Sequence, residues 1–123
     1  MAKADAENSS DRGLYFETLA LEFLQLKGLK LHSRNVSCRF GEIDLILQQA
    51  GNWVFVEVKY RASSAFGGAL AAVTVAKQQK LLRSSRWYLQ QYRLHDHACR
   101  LDVLAIEGQP PYRYQWIKNA ITQ

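Results

Sequence analysis

The sequence predicts an α/β domain in which helices cover a mixed sheet, and two patterns predict this class. Several short segments alternate apolar with polar residues, which is the period-2 pattern of strands. Two longer segments repeat apolar residues at helical spacing. Their order along the chain is helix, three strands, helix, strand. This order is typical of a sheet that packs against helices.

Length and composition indicate a single folded unit. The chain has 123 residues, of which 48% are hydrophobic, and this is enough apolar mass for one core. Residues 1–10 are mostly small and polar and predict a flexible tail, so we expect the domain to span 11–123. The formal net charge of +5 favours a polyanionic partner, and nucleic acid is the best match.

The sequence favours the cytoplasm over a membrane or secreted location. No segment has the roughly 20 apolar residues of a membrane span, and residues 1–10 lack the apolar run of a signal peptide. Cys38 and Cys99 are isolated, without C-x-x-C or histidine spacing. We therefore expect free thiols, not a disulfide or a zinc site.

The first helix is predicted over Asp11–Lys27, with Asp11 as N-cap and Gly28 as the C-terminal stop. Glu17 projects into the apolar sector of this helix, among Leu14, Ala20, Leu21 and Leu24. A glutamate in such a position requires a partner or a metal. The alternative is that Glu17 has a structural role only and takes no part in a functional site.

Three strands follow the first helix. The first is predicted over Leu29–Arg34, and the next two over Glu42–Leu47 and Val54–Lys59. The short polar segment 48–52 between the last two contains a glycine and predicts a hairpin. If Ala50 and Gly51 form its loop, Gln49 pairs with Asn52, and a one-residue slip would bury charge.

This register sorts the hairpin side chains onto two faces. One face is predicted to be core and carries Ile43, Leu45, Leu47, Val54, Val56 and Val58. The other carries Glu42 opposite Lys59 and Asp44 opposite Glu57. Trp53 and Phe55 share that second face, where packing against a helix is preferred to stacking on an unpaired base.

The converging carboxylates predict a divalent-metal site. Asp44 and Glu57 would repel each other unless a cation lay between them. Hard carboxylate oxygens suit Mg²⁺ or Mn²⁺. The alternative is a solvated strand with surface ion pairs, which contribute little to stability.

The rest of the chain completes the predicted sheet. A loop over 61–68 leads into a second helix, Ala69–Leu94, where Lys77 lies in the apolar arc and either snorkels or serves a site. A strand is predicted over Arg100–Ile106, in which Asp102 is expected to pair with Arg100 or with a helix residue. Residues 112–116 are aromatic and basic, which suits either an edge strand or a homodimer contact.

Glu17 on the first helix, Asp44 on the second strand and Glu57-x-Lys59 on the third form a pattern that resembles the PD-(D/E)XK nuclease superfamily. That superfamily includes restriction endonucleases and archaeal Holliday-junction resolvases. A closer resemblance, over 13–121, is to the YraN-like bacterial proteins, which are endonuclease-like and of unassigned function. It depends on the segments 41–46, 55–61, 66–67 and 99–103 and on Lys77. Leu101 departs from an expected phenylalanine, and Ile43 from the superfamily proline.

The resemblance implies a restriction endonuclease-like αβββαβ core and a metal-dependent nuclease. Asp44, Glu57 and the Val58 carbonyl would ligate Mg²⁺ or Mn²⁺, and Glu17 would complete the outer or second-metal position. Lys59 would orient or deprotonate the attacking water and stabilise charge on the phosphate.

Other polar residues are expected to support these roles. Glu42 is interpreted as an outer residue or a partner for Arg61. Lys77 would contact the phosphate backbone or the carboxylates. A phosphate-binding rim is predicted from scattered basic residues that include Arg34, Arg61 and Lys80, although such residues are usually only solvated surface.

Two function classes are open at this point. The first is a nuclease that acts on DNA rather than RNA, with branched or structured DNA as a candidate substrate. The second is a non-catalytic module that keeps the fold and binds nucleic acid or a protein partner. Glu17, Asp44, Glu57 and Lys59 occur together, and this favours the nuclease. A site that had lost its activity would have no physical reason to keep acids that repel one another.

Overall fold

A five-stranded sheet with helices on both faces forms the described part of the chain, residues 9–94 and 96–121 of a computed structural model. Residues 1–8 of the predicted tail lie outside this part. Ser9 and Ser10 belong to the first helix, which therefore begins two residues before the predicted N-cap Asp11. In chain order the elements are α1 (Ser9–Leu26), β1 (Lys30–Cys38), β2 (Gly41–Gln49), β3 (Asn52–Arg61), a 3-10 turn (Ala65–Gly67), α2 (Gly68–Ala71), α3 (Val75–Gln91), β4 (Cys99–Glu107) and β5 (Arg113–Ile117).

The predicted mixed sheet and element order are confirmed. The strands lie in the order β1-β2-β3-β4-β5, and all neighbours are antiparallel except the parallel pair β3 and β4. A parallel pair requires a long crossover, which α2 and α3 supply here. β5 is an edge strand, as one of the two interpretations of 112–116 predicted. The homodimer contact stays a prediction.

The second helix differs from its prediction, because it is divided into α2 and α3. The Thr74 hydroxyl accepts a hydrogen bond from the Lys77 amide at 3.2 Å and caps a new helix there. Threonine favours this N-cap position, where its oxygen satisfies an amide that has no partner within the helix. The cap places Lys77 in the first turn of α3. β1 also extends beyond its predicted end, to Cys38.

Apolar clusters cover both faces of the sheet. Phe16, Ala20, Leu21 and Leu24 of α1 pack on one face, against Leu45, Leu47, Val54, Val56, Leu104 and Ile106. Leu81, Leu82, Tyr88 and Leu89 of α3 pack on the other, against Ile43, Ile46, Trp53, Phe55, Leu101 and Val103. No described helix combines the length and apolarity that crossing a bilayer requires.

This arrangement corrects the prediction of one apolar and one charged hairpin face. Phe55 and Ile46 lie on the predicted charged side and are fully buried under α3. The packing of Trp53 and Phe55 against a helix is confirmed. Ile43 joins the α3 cluster, whereas Leu45 joins the α1 cluster. The alternation of β2 side chains between the two faces of the sheet is therefore interrupted between Ile43 and Leu45. At this point Asn35 of the neighbouring β1 adopts a left-handed φ of 55°.

The predicted hairpin register holds only for part of its length. Gln49 pairs with Asn52, and the ladder continues to Leu45 and Val56. The predicted pairs Asp44–Glu57 and Glu42–Lys59 do not form, because β2 and β3 separate beyond that point. β2 continues with β1 as far as Gly41, and β3 continues with β4 as far as Arg61. The separation opens the sheet between the two strands.

A buried carboxylate attaches the C-terminal segment to the sheet. Asp102 is fully buried and accepts hydrogen bonds from Arg100 Nε at 3.1 Å, Trp116 Nε1 at 2.9 Å and the Asn119 amide at 2.8 Å. The predicted pairing of Asp102 with Arg100 is therefore confirmed. Three donors satisfy the charge and join β4 to β5 and to the turn that follows it.

We expect Asp102→Ala to lower the free energy of unfolding by about 3–5 kcal/mol, because it leaves a partly buried arginine and two other donors without their acceptor. Urea unfolding followed by circular dichroism measures the change. Glu22→Ala, at an exposed position of α1, is the control and should stay within about 0.5 kcal/mol of wild type. Equal stabilities of the two variants would show that the network does not stabilise the fold.

Candidate functional site

A cavity of about 360 Å³ lies between the first half of α1 and the separated ends of β2 and β3. Its lining includes Arg12, Glu17, Asp44, Glu57, Lys59 and Arg61. Val58 also lines it. The structure thus brings together the residues that the sequence analysis selected on three different elements, with α1 supplying Glu17 and the two strands supplying the rest.

Asp44 holds the open end of the hairpin. Its Oδ2 accepts a hydrogen bond from the Val58 amide at 2.9 Å, so a side-chain oxygen replaces the backbone acceptor of the missing ladder pair. Burial raises the pKa of Asp44 from 3.8 to about 6, and the Val58 hydrogen bond opposes this rise. The predicted use of the Val58 carbonyl as a metal ligand stays a prediction.

Three carboxylates converge beside this hydrogen bond. Glu17, Glu42 and Asp44 each offer an oxygen, and these oxygens lie within 4.8 Å of one another. Glu17 is buried, with 9% of its surface exposed, whereas Glu42 is exposed. Oxygen atoms from three acids at this separation match the ligand type of a hard divalent cation.

One carboxylate oxygen in this group has no satisfied contact. Glu17 Oε1 is buried and accepts no hydrogen bond from any described residue. Arg34 Nη2 lies 3.9 Å away, which is too long for a hydrogen bond, and it donates instead to Thr18 Oγ1 at 3.1 Å. An unsatisfied buried carboxylate is costly, and a bound cation would remove that cost. The residues present therefore fit a divalent metal ion.

The sequence analysis placed Glu42 on the same hairpin face as Asp44, and the structure brings these two carboxylates together. Glu42 was interpreted as an outer residue or a partner of Arg61, but it lies in the group with Glu17 and Asp44. The Arg61 guanidinium donates to the Tyr60 carbonyl at 2.7 Å. The i, i+2 spacing of Glu42 from Asp44 predicted the shared face. Its approach to Glu17 joins β2 to α1, and the local sequence carries no signal for that contact.

Glu57 lines the same cavity but is not one of the three acids whose oxygens lie within 4.8 Å of one another. Burial, followed by the Asp44 charge, raises the pKa of Glu57 from 4.5 to about 7, whereas Lys59 and Lys77 lower it. Burial and the charges of Asp44 and Glu42 raise the pKa of Glu17 from 4.5 to about 7. A contact from Asn35 and the Arg34 charge oppose the shift at Glu17.

Basic side chains border the acids on the α3 side. Contact with the Lys59 side chain, followed by burial, lowers the pKa of Lys77, and the Lys59 and Arg61 charges add to this effect. Lys80, one turn further along α3, is exposed beside Gly41 at the start of β2. Arg34 instead contacts α1 and only partly faces solvent. The cations that line the cavity are therefore Arg12, Lys59 and Arg61, with Lys77 next to Lys59 and Lys80 beside Gly41.

The raised carboxyl pKa values predict how stability depends on pH. Because these groups bind protons more tightly in the folded state, the free energy of unfolding should fall as pH rises from about 4 to about 7. Glu17→Gln removes one buried charge and should unfold with about 1–2 kcal/mol more free energy than wild type at pH 8. Urea unfolding at a series of pH values measures both effects.

Glu22→Gln, on the exposed side of the same helix, controls for loss of a surface carboxylate. Its difference from wild type should stay small at every pH. A Glu17→Gln difference that is the same at pH 4 and pH 8 would contradict the assignment of a raised pKa to Glu17.

Comparison with known proteins agrees with the predicted resemblance. The model of the uncharacterised protein family UPF0102, the YraN family, matches residues 16–106, which contain all five acidic and basic residues of the site from Glu17 to Lys59. A UPF0102 protein of Aeromonas hydrophila is 45% identical over 115 residues, which cover 92% of this chain and 86% of that protein. One from Neisseria gonorrhoeae is 49% identical over 108 residues, covering 88% and 92%. One from Shewanella loihica is 49% identical over 109 residues, covering 89% and 92%. The chain belongs to the UPF0102 family.

Proposed function

We propose that this protein is a divalent-metal-dependent nuclease that hydrolyses phosphodiester bonds of DNA. The observation that carries the proposal is the group of three carboxylate oxygens within 4.8 Å, one of them on the buried Glu17, beside the cation Lys59. Three acids at this separation, one of them buried, would destabilise the fold if no cation were bound. The UPF0102 relatives are uncharacterised, so the proposal depends on the site itself.

Asp44 and Glu17 are the proposed metal ligands, together with Glu57 and the Val58 carbonyl from β3 and with Glu42 from β2. Mg²⁺ or Mn²⁺ bound there would polarise the scissile phosphate and lower the pKa of a bound water. The protein prepares this position through the Val58 amide, which holds one Asp44 oxygen and so orients the carboxylate.

Lys59 has the catalytic role among the cations. It lines the same cavity as Asp44 and Glu57, and its charge influences the pKa of both. In hydrolysis the water oxygen attacks phosphorus, the bond to the leaving oxygen breaks, and that oxygen takes up a proton. We expect Lys59 to orient or deprotonate the water and to stabilise the negative charge that develops on the phosphate.

The substrate class follows from charge. The net charge of +5, Arg61 in the cavity lining, Lys77 beside Lys59 and Lys80 beside Gly41 favour a phosphate backbone next to the acids. DNA is the proposed substrate, with branched or structured DNA as the first forms to test. If no nucleic acid is cleaved, the remaining function is a non-catalytic module that binds nucleic acid or a protein partner through the same surface.

Metal binding should stabilise the folded protein. At a concentration of Mg²⁺ or Mn²⁺ 100 times its Kd, the free energy of unfolding should rise by about 2.7 kcal/mol, and the melting temperature with it. Asp44→Asn keeps an oxygen that can accept the Val58 hydrogen bond but removes the charge, so it should abolish the shift. Glu22→Gln is the control and should show the same metal-induced shift in melting temperature as wild type. Thermal unfolding measured by fluorescence would contradict the proposed ligands if Asp44→Asn shifted as much as wild type.

Lys59→Ala separates cleavage from binding. We expect it to retain most of its affinity for metal and DNA, while cleavage falls by about 10²–10³-fold, as on loss of one electrostatic catalytic group. The assay uses duplex, single-stranded and four-way-junction DNA with Mg²⁺ or Mn²⁺. Lys27→Ala, at the exposed C-terminal end of α1, is the matched control. Wild type that cleaves none of these substrates, or Lys59→Ala that cleaves as fast as wild type, would refute the mechanism.

A further inference from the structure

A second cavity, of about 510 Å³, lies where the last turns of α3 meet β1 and the start of β3. Its lining includes His32, Ser33, Trp53, Tyr88, Tyr92 and Leu94. None of these residues lines the candidate nuclease site. Trp53 and Glu57 are four residues apart on β3, a distance of about 13 Å along the strand. The cavity is therefore a separate feature at the other end of the sheet.

Aromatic rings form most of its wall. The ring centroids of His32 and Trp53 are 4.8 Å apart, those of Trp53 and Tyr88 are 6.1 Å apart, and those of Tyr88 and Tyr92 are 4.6 Å apart. Trp53 and Tyr88 are 7% and 3% exposed, so the core holds them in place. Tyr92 is 56% exposed. The cavity wall thus consists of buried rings that the core holds in place and one ring, Tyr92, that is accessible to solvent.

The same wall carries a connected set of polar groups. His32 Nδ1 lies 2.8 Å from Ser33 Oγ and 3.2 Å from Tyr88 Oη, within hydrogen-bond distance of both hydroxyls. These contacts occupy one imidazole nitrogen and leave Nε2 for a ligand. The cavity therefore offers ring faces for stacking and hydrogen-bonding groups beside them.

We propose that this cavity binds a nucleobase that is not paired in a duplex. A nucleobase is a planar heteroaromatic ring that stacks on aromatic side chains and has hydrogen-bonding groups on its edge. A purely aliphatic ligand would leave the His32 and Ser33 groups without partners. Aromatic faces also attract cations, but no described lining residue carries a carboxylate and the nearby residues Lys30 and Arg93 are themselves cations, so a cationic ligand is disfavoured. Exposed Lys30 and Arg93, close in sequence to His32 and Tyr92, favour a base that carries phosphate.

Such a base has two sources: a free nucleotide, or an unpaired base within a polynucleotide. Equilibrium binding distinguishes them when measured in a chelator, where cleavage does not occur and the metal site contributes nothing. The probes are adenosine monophosphate, a short single-stranded oligodeoxyadenylate, and a blunt duplex that contains the same sequence. Of the three tryptophans only Trp53 lines the cavity, so Trp53→Phe should remove the ligand-induced quenching of tryptophan emission, and anisotropy of labelled DNA gives Kd.

Tyr92→Ala is the main variant, because its exposed ring can be removed without opening the core. We expect Kd for the single strand to rise on the order of 10-fold or more, since one base stack is lost. Tyr92→Phe keeps the ring and should bind as wild type does. Duplex binding should change little, because its bases stay stacked with each other. Val75→Ala removes another exposed apolar side chain, 72% exposed at the far end of α3, and should leave every Kd unchanged.

Each outcome decides the inference. If the nucleotide quenches the emission and Tyr92→Ala weakens this quenching, the ligand is a free nucleotide. If only the single strand quenches the emission, the ligand is an unpaired base within a polynucleotide. Absence of quenching by both probes would overturn the inference, as would an equal effect of Tyr92→Ala on single strand and duplex. A wild type that binds these probes but cleaves no DNA would reject the proposed nuclease function and leave this inference intact.

Discussion

The hydrogen bond from the Val58 amide to Asp44 is the interaction on which the candidate site depends. Backbone pairing between β2 and β3 ends at Leu45 and Val56, and the Asp44 carboxylate then takes the place of a backbone acceptor. Each strand keeps its outer neighbour, β1 or β4, so the sheet opens at its centre without losing its edges. The first half of α1 lies over the opening and brings Glu17 to Asp44.

The energetic cost of this opening is electrostatic. Glu17, Asp44 and Glu57 have raised pKa values chiefly because burial removes water from their charged forms. Apolar clusters on both faces of the sheet offset the cost, with the inner residues of β2 and β3 almost fully excluded from water. The protein therefore keeps an unfavourable group of acids at the open end of a hairpin whose middle residues are core.

Two buried carboxylates in this protein, Asp102 and Glu17, differ in how many hydrogen bonds they accept. Asp102 receives donors from Arg100, Trp116 and Asn119, so its charge is satisfied by the fold itself. Glu17 Oε1 receives none from the described residues. Both sites require a counter-charge or donors for the same physical reason. Asp102 obtains three donors within the chain, whereas Glu17 Oε1 has the Arg34 guanidinium at 3.9 Å but no hydrogen bond from the described residues.

The sequence by itself determined the α/β class, the order of helices and strands along the chain, the hairpin turn at Ala50 and Gly51, and the placement of Asp44, Glu57 and Lys59 on neighbouring strands, because these depend on residues close together in the chain. Helical spacing also selected Glu17 as a glutamate on an apolar face. Only the tertiary structure placed Glu42 with Glu17, moved Ile43 to the α3 side, and joined His32, Trp53 and Tyr92 around a second cavity. Those contacts join residues distant in sequence, so they depend on how helices pack across a twisted sheet, which local periodicity does not specify.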